Sequence, residues 1–508
     1  MTETAPIVSV VIPVYNSMPY LTGTLDSLLA QELDSFEIIA IDDGSTDGSE
    51  TELDRYAAAD SRITVVHQPN SGWPGMPRNR GLERARGRYV LFMDADDTMS
   101  PDALARMVAQ ADAHDADIVI PRFEGTGGRH VQALFERHPE GPIELARAME
   151  TLSPQKLFRR EMLERLELRF PEGRVRLEDG IFVTRAYVEA RRIMFCGDSP
   201  LYFIALRDDG RNISSQSIDP DNYVSSCRRI AETLIEGVAD PDDARALVRQ
   251  FFGRKGLRFY APKRWLAMDE GRRAHWVALH REFLRDLLPP STDAQVTHPT
   301  DRRKVELIRD GDVEGLDRLI RAAAMLEHTA LVSGVRALPG GIEVTVTVRL
   351  DHDEAPAGAA GSGLRVRVAD RLYRLVRPLV TRRLVRGTSR LAARFLLWNR
   401  PHAMLLLSGR KRGRATAVPG RLAPPEPRTA EGTYRAREPR YRFVLPHDLL
   451  RRYRGERVDA WTVVSGPHRV SGDRCRVTAP PALDRRVDGI RAYATNRGNF
   501  SLQVPGRG

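Results

Sequence analysis

Four short apolar runs, each ending abruptly in polar residues, constrain the first 120 residues more than any other feature. They are Val8–Val14, Phe36–Ile41, Ile63–His67 and Tyr89–Met93. A continuous apolar run suits a strand covered on both faces, as strands of a parallel sheet are. After the first run, Leu21, Leu25, Leu28 and Leu29 recur at helical spacing. Ser100-Pro101-Asp102 has the N-cap, first-turn proline and early acid of a helix start. Strand and helix patterns in alternation predict an α/β domain with a mostly parallel sheet and helices on both faces. Such sheets bind ligands at the carboxyl ends of their strands, where the polar residues of this chain fall.

Those strand ends carry the chemistry. Asp94-Ala95-Asp96-Asp97 directly follows the fourth run. Carboxylates this close repel one another unless a cation neutralises them, and oxygen ligands suit Mg²⁺ or Mn²⁺. The plainer reading is a helix-start loop of solvated acids. Asp42-Asp43-Gly44-Ser45 ends the second run; its acids can accept hydrogen bonds from a base or ribose, or simply shape a turn. Pro13-Val14-Tyr15-Asn16 puts an aromatic ring where a base could stack. Asn70-Ser71-Gly72 and Arg78-Asn79-Arg80-Gly81 add amides and cations, and the planar fork of arginine suits a diphosphate. His67 reads as structural, and Trp73 as either a sugar-stacking ring or a loop anchor.

With these four elements in order, the first 215 residues resemble the family 2 glycosyltransferases, which have the GT-A nucleotide-sugar fold. The resemblance implies an enzyme that moves a hexosyl or N-acetylhexosaminyl group from a nucleotide sugar to a hydroxyl, with inversion. It implies nucleotide contacts from Pro13, Tyr15, Asp43, Asn70, Arg78 and Asp94, and a metal, Mn²⁺ or Mg²⁺, on Asp96. Asp42 joins the nucleotide-sugar set without a defined role, as Asp97 remains without one. In Arg176-Leu177-Glu178-Asp179-Gly180, the resemblance makes Asp179 the general base, with Glu178 beside it able to raise its pKa or hold an acceptor hydroxyl. Arg207, with Arg211 as the alternative, would stabilise the departing diphosphate. UDP is favoured as the usual donor nucleotide of related enzymes. A nucleotidyltransferase would need a glycine- and lysine-rich loop near residue 15, which is absent. The alternative is a non-catalytic glycan- or membrane-surface-binding protein on the same fold.

Beyond residue 220 the pattern turns helical, with Arg229–Val238, Ala244–Phe252 and His275–Leu288 clearest. After 330 it turns strand-like, with Ile342–Leu350 alternating at a period of two. The expected domains are 1–218 (GT-A), 219–328 (helical linker) and 329–508, a β-rich, immunoglobulin-like sandwich. This layout is similar to wall teichoic acid glycosyltransferases. That likeness implies a cell-envelope glycan or polyol-phosphate acceptor, and allows homo-oligomerisation through the C-terminal region.

Charge is equally localised. Of the net +10, residues 365–414 carry about +14, with 15 Lys or Arg against Asp370 alone. Leu372, Leu375, Val376, Leu379 and Val380 fall there at helical spacing, interleaved with Arg371, Arg374 and Arg377, a pattern that suits an anionic membrane surface, a polyanionic polymer, or a buried helix with a solvated arginine face. Pro378 and Pro401 interrupt any single long helix. The remainder is net acidic and carries no nucleic-acid motif, so no nucleic-acid partner is expected. Cys196, Cys227 and Cys475 are far apart, which fits a reducing compartment rather than a disulfide framework. No run of 18 apolar residues occurs, and the N-terminus does not read as a secretory signal. The expected location is therefore cytoplasmic, with peripheral attachment to the inner face of the plasma membrane left open through the basic insert.

Overall fold

The computed structural model describes residues 5–127, 129, 131, 134–135, 138–205, 217–296, 298–324, 328–350, 402–410, 415–423, 439–465 and 474–506. The chain forms two compact units, residues 1–258 with 275–292, and 259–274 with 293–508.

The first unit is built on an eight-stranded sheet. Its strands are β1 (Val8–Val14), β2 (Phe36–Asp42), β3 (Ile63–His67), β4 (Tyr89–Phe92), β6 (Ile118–Pro121), β8 (Gly141–Pro142), β9 (Leu157–Arg159) and β10 (Ile193–Cys196). Their order is β3-β2-β1-β4-β9-β6-β10-β8. The four apolar runs of the sequence form the parallel block β3-β2-β1-β4, and every residue of β2 and β4 is buried. Strand β9 enters antiparallel between β4 and β6. A small second sheet pairs β5 (Thr98–Met99), β11 (Tyr202–Ile204) and β7 (Phe123–Gly125).

Helix α1 (Tyr20–Leu29) buries Leu21, Leu25 and Leu28, as their spacing requires. Helices α2 (Ser49–Ala59) and α3 (Gly75–Arg84) grow from the two motif loops that follow β2 and β3. Helix α4 (Ala103–Ala113) starts later than the sequence pattern suggests: Asp102 takes the N-cap position, and the Ser100 hydroxyl donates to Asp102 Oδ1 (2.6 Å). Two further helices, Pro220–Gly237 and Pro241–Lys255, open on the same device. A proline takes the first position while Asp219 or Asp240 accepts a first-turn N–H at 2.8 Å.

The second unit contains the helices Pro299–Asp310 and Val313–Ala324 and two sheets whose named strands all pair antiparallel. One sheet holds Gly341–Leu350 at its centre and the other Arg457–Ser465. Val344, Val346 and Phe443 of the first meet Leu405, Leu407, Ala460 and Leu502 of the second in one apolar core, the expected sandwich. The basic insert needs a correction here. Its residues His402–Gly409 form a strand pairing on both sides, with Ala403, Leu405 and Leu407 buried. The alternating apolar side chains of this segment fill the space between the sheets. The helical stripe at 365–401 lies outside the described residues. Among the described residues no helix is long and apolar enough to cross a membrane.

Helix α3 lies close on the sheet because Gly81 has no side chain: a Cβ there would stand 2.3 Å from Val11 Cγ1 of β1. Gly81→Ala should cost about 1–3 kcal/mol, read as a lower urea midpoint with an unchanged slope. Val11→Ala in the same chain should recover part of that loss.

Candidate active site

The polar strand ends converge above β1, β2 and β4. After β1, Pro13 is half-buried against β2, where it pairs with Ile41, and Tyr15 stands out with 52% of its surface exposed. After β2, Asp43 is buried and organises the loop that follows β3. Its Oδ1 accepts from Gln68 Nε2 (2.5 Å) and the Ser71 amide (3.0 Å), and its Oδ2 accepts from the Ser71 hydroxyl (2.8 Å). Asn70 Nδ2 returns a bond to the Asp43 carbonyl (2.8 Å), so Asp43 and Asn70 form one unit. The left-handed Gly44, at φ 71°, lies beneath it, where a Cβ would meet the Asn70 amide nitrogen at 2.9 Å.

Asp42 serves a different neighbourhood. Its Oδ1 accepts the Ser45 amide (3.0 Å) and its Oδ2 meets His67 Nδ1 (2.9 Å), while His67 Nε2 reaches Asp54 Oδ1 (3.1 Å). The bond to Asp42, then that to Asp54, raises the His67 pKa above its ordinary value. His67 thus ties β3 to β2 and α2, the structural role its sequence position suggests. Trp73 is buried with Arg176 packed over its ring at 5.3 Å, and so anchors its loop.

Arg78 is the centre of the cleft. Carried by α3 and only 4% exposed, it donates from one terminal nitrogen to Asp179 Oδ1 (2.6 Å) and from the other to Asp94 Oδ1 (3.0 Å). Glu178 Oε1 lies 3.6 Å from the first nitrogen, and the Phe170 ring supports the guanidinium at 5.3 Å. Three carboxylates from two distant segments therefore face one cation. Asp179 and Glu178 open the helix Glu178–Glu189, entered through Leu177 in the left-handed region at φ 58°. A leucine there is strained, and such strain clusters at functional sites. Burial pushes the Asp179 carboxyl well above the usual range; Arg78 opposes this, Glu178 and Asp94 reinforce it, and Lys156 opposes it. Asp179 is nevertheless open to the cleft, with 31% of its side chain exposed.

The acids at the end of β4 divide their work. Asp94 Oδ2 accepts from Gln155 Nε2 (2.5 Å), opposite Arg78. Asp97 is buried and holds the chain at the end of β11: it accepts from the Tyr202 hydroxyl (2.8 Å) and the Ala205 amide (3.0 Å). Burial, then Asp94 and Asp96, pushes the Asp97 carboxyl well above its ordinary value. One oxygen from each of Asp94, Asp96 and Asp97 lies within 4.8 Å of the others. This all-oxygen set fits a hard divalent cation. Arg207 and Arg211 lie outside the described residues.

Sequence reasoning missed Gln155 and Lys156, which directly precede the antiparallel strand β9. Lys156 is fully buried, and burial lowers its pKa to about 7 against the pull of Asp179. The available signal was compositional: the chain uses only five lysines among its 78 Lys and Arg residues, and one stands here.

Residues 9–166 match the model of Glycosyl transferase family 2, and residues 220–320 match that of the Glycosyl transferase TarS linker domain. Glycosyltransferase GlyG of Streptococcus pneumoniae is 30% identical over 252 residues, covering 46% of this chain and 80% of that protein. The chain belongs to glycosyl transferase family 2. The poly(ribitol-phosphate) beta-glucosyltransferase of Bacillus spizizenii is 31% identical over 323 residues, 62% of this chain. The chain covers half the length of that relative. The crystal structure of Staphylococcus aureus TarS 1-349 in complex with UDP-GlcNAc superposes with a TM-score of 0.58 at 26% identity, over 68% of this chain and 98% of that one.

The His67 bridge gives a pH test. Its raised pKa means that its stabilisation is fully present below the ordinary histidine value and is lost as pH rises through the folded value. The stability gap between the native chain and His67→Gln should be widest below about pH 6 and should close above neutrality. Urea midpoints measured across pH 5–9 check this.

Proposed function

We propose that this chain is an inverting glycosyltransferase that moves a hexosyl or N-acetylhexosaminyl group from a UDP-sugar to a hydroxyl of a polyol-phosphate cell-envelope polymer. The observation that carries the reading is the Arg78 fork, which holds a carboxylate of the β4 end, Asp94, and the partly open Asp179 in one cleft.

In this reading Tyr15 and Pro13 flank the base, the Asp43–Asn70 unit holds the nucleoside, and Asp94 takes the ribose side. Asp179 removes the acceptor proton as that oxygen attacks the anomeric carbon and the diphosphate departs. Burial raises its pKa, which makes it a stronger base than an ordinary aspartate. Glu178 Oε1 stands 3.6 Å from Arg78 beside it. Asp96, with Asp94 and Asp97 beside it, would hold Mn²⁺ or Mg²⁺. The ion would supply positive charge to the leaving diphosphate. Arg207 is assigned the same task from the protein side.

The acceptor class is supported by the names of the matching relatives, which point to poly(ribitol-phosphate) and UDP-GlcNAc. The same reading makes this a cytoplasmic enzyme. The basic insert 365–414, apart from its strand His402–Gly409, is its candidate membrane or polymer contact, and the sandwich its candidate oligomer contact.

The test is transfer from UDP-glucose and UDP-GlcNAc to poly(ribitol phosphate) or poly(glycerol phosphate), followed as added mass on the polymer. Asp179→Asn should lower kcat by about 10²–10⁴-fold with little change in UDP affinity. Asp96→Ala should abolish the metal-dependent thermal shift given by UDP. Folded protein that transfers no sugar and shows no shift with any UDP-sugar overturns the reading.

A further inference from the structure

Residues 171–177 form the strap that carries the chain into Glu178 and Asp179. It has no regular secondary structure, and Glu172, Gly173 and Arg174 are exposed. Backbone polar groups in such a segment need partners or water, and here one side chain serves two of them. Asn222 Oδ1 accepts the Arg176 amide (2.8 Å), and its Nδ2 donates to the Arg174 carbonyl (2.6 Å). The side-chain amide thus pairs with an N–H and a C=O two residues apart, as the backbone of a neighbouring strand would. Asn222 is held in turn. It stands in the first turn of the helix Pro220–Gly237, where its own amide donates to Asp219 Oδ1 (2.8 Å). The Arg176 side chain closes the other flank: it lies over the buried Trp73 ring at 5.3 Å and donates to the Ser217 carbonyl (3.1 Å). Beyond the strap, the helix Glu178–Glu189 lies along the same Pro220–Gly237 helix at close range. A Cβ on Gly180 would stand 2.9 Å from Ile230 Cδ1, and one on Gly237 would stand 2.0 Å from Val188 Cγ1, about two turns further on both helices.

We propose that Asn222 is a positioning residue for the transfer reaction: its amide brackets Val175, and the bracket aims the head of the next helix, with Asp179, into the cleft. This rests on Asp179 being the base. Leu177 joins bracket and helix in the left-handed region at φ 58°, a conformation that persists only where the structure on both sides holds it. The close contact at Gly180 holds the helix side, and Asn222 holds the strap side. With the bracket gone, Leu177 is free to relax, and the carboxylate that meets Arg78 at 2.6 Å moves with it. A displacement of about 1 Å at a reacting group costs about 10²-fold in rate. The helix Pro220–Gly237, which opens the segment matching the TarS linker domain, thus takes part in the reaction through the strap.

Two variants separate this role from helix stability. Asn222→Ala removes both bonds. Asn222→Asp keeps the acceptor for Arg176, loses the donor to Arg174, and places an acid in a helical first turn, where acids are favoured. In both, kcat for transfer should fall about 10–100-fold while the KM of the UDP-sugar stays within about twofold. The second measurement needs no catalysis: the coupling between Arg78→Gln and Asp179→Asn in urea unfolding, taken in the native and in the Asn222→Ala background. That coupling should fall by about half or more, because Asp179 no longer stands at bonding distance from the guanidinium. A coupling unchanged by Asn222→Ala overturns the proposal, even if the protein proves to have another activity. So does a kcat unchanged in both variants, or a rise in donor KM with kcat kept. If Asn222→Ala does not fold, Asn222→Asp serves in both measurements. A native chain that transfers no sugar fails the functional reading instead, and leaves the coupling to decide the bracket.

Discussion

The Arg78 guanidinium is the interaction on which the cleft depends. Asp94 arrives at the end of β4, whereas Glu178 and Asp179 arrive more than 80 residues later, at the head of a helix. Without a shared cation these carboxylates would repel one another in a partly dry cleft. With it, the β4 end and the helix are held in register before any ligand binds. Its setting explains several features at once. Gly81 lets α3 approach β1, Phe170 supports the guanidinium plane, and Asn79 fixes the chain at Phe170 through bonds to its amide (2.8 Å) and carbonyl (2.9 Å). The Arg78-Asn79-Arg80-Gly81 motif is thus a cation, a brace and a close-packing glycine on one helical turn.

Around this centre the carboxylates differ by environment rather than by chemistry. Asp43 also builds the loop beside it, and Asp97 also holds Tyr202 and Ala205. Asp94 is held between Arg78 and Gln155, while Asp179 keeps one side toward the cleft. A row of acids at strand ends therefore resolves into groups that brace loops and groups that meet at Arg78. The strained Leu177 fits the same logic: the backbone twist at its left-handed φ aims the head of the following helix, and with it Glu178 and Asp179, at Arg78.

Much of this was legible in the sequence. The four apolar runs became the parallel strands β1 to β4, because a strand buried on both faces has little choice but to be apolar throughout. Arg78, Asp94, Glu178 and Asp179 were singled out from their motifs and do meet. Periodicity could not reveal that Asp42 faces His67, since neighbouring acids on a turn diverge by backbone geometry alone. Nor could it reveal Gln155 and Lys156, whose places depend on β9 running antiparallel between β4 and β6. That pairing is long-range, and no local pattern encodes it. The strand His402–Gly409 was hidden for a different reason: the arginines around it gave a charge signal that outweighed the short alternation of Ala403, Leu405 and Leu407.

The most direct test of the Arg78 account is a double-mutant cycle in folding stability across Arg78→Gln and Asp179→Asn. If the guanidinium joins the two halves of the cleft, the effects should be non-additive, with a coupling of about 0.5–3 kcal/mol. Effects that simply add would mean that Arg78 and Asp179 are independent, and the cleft would then need a different organising interaction.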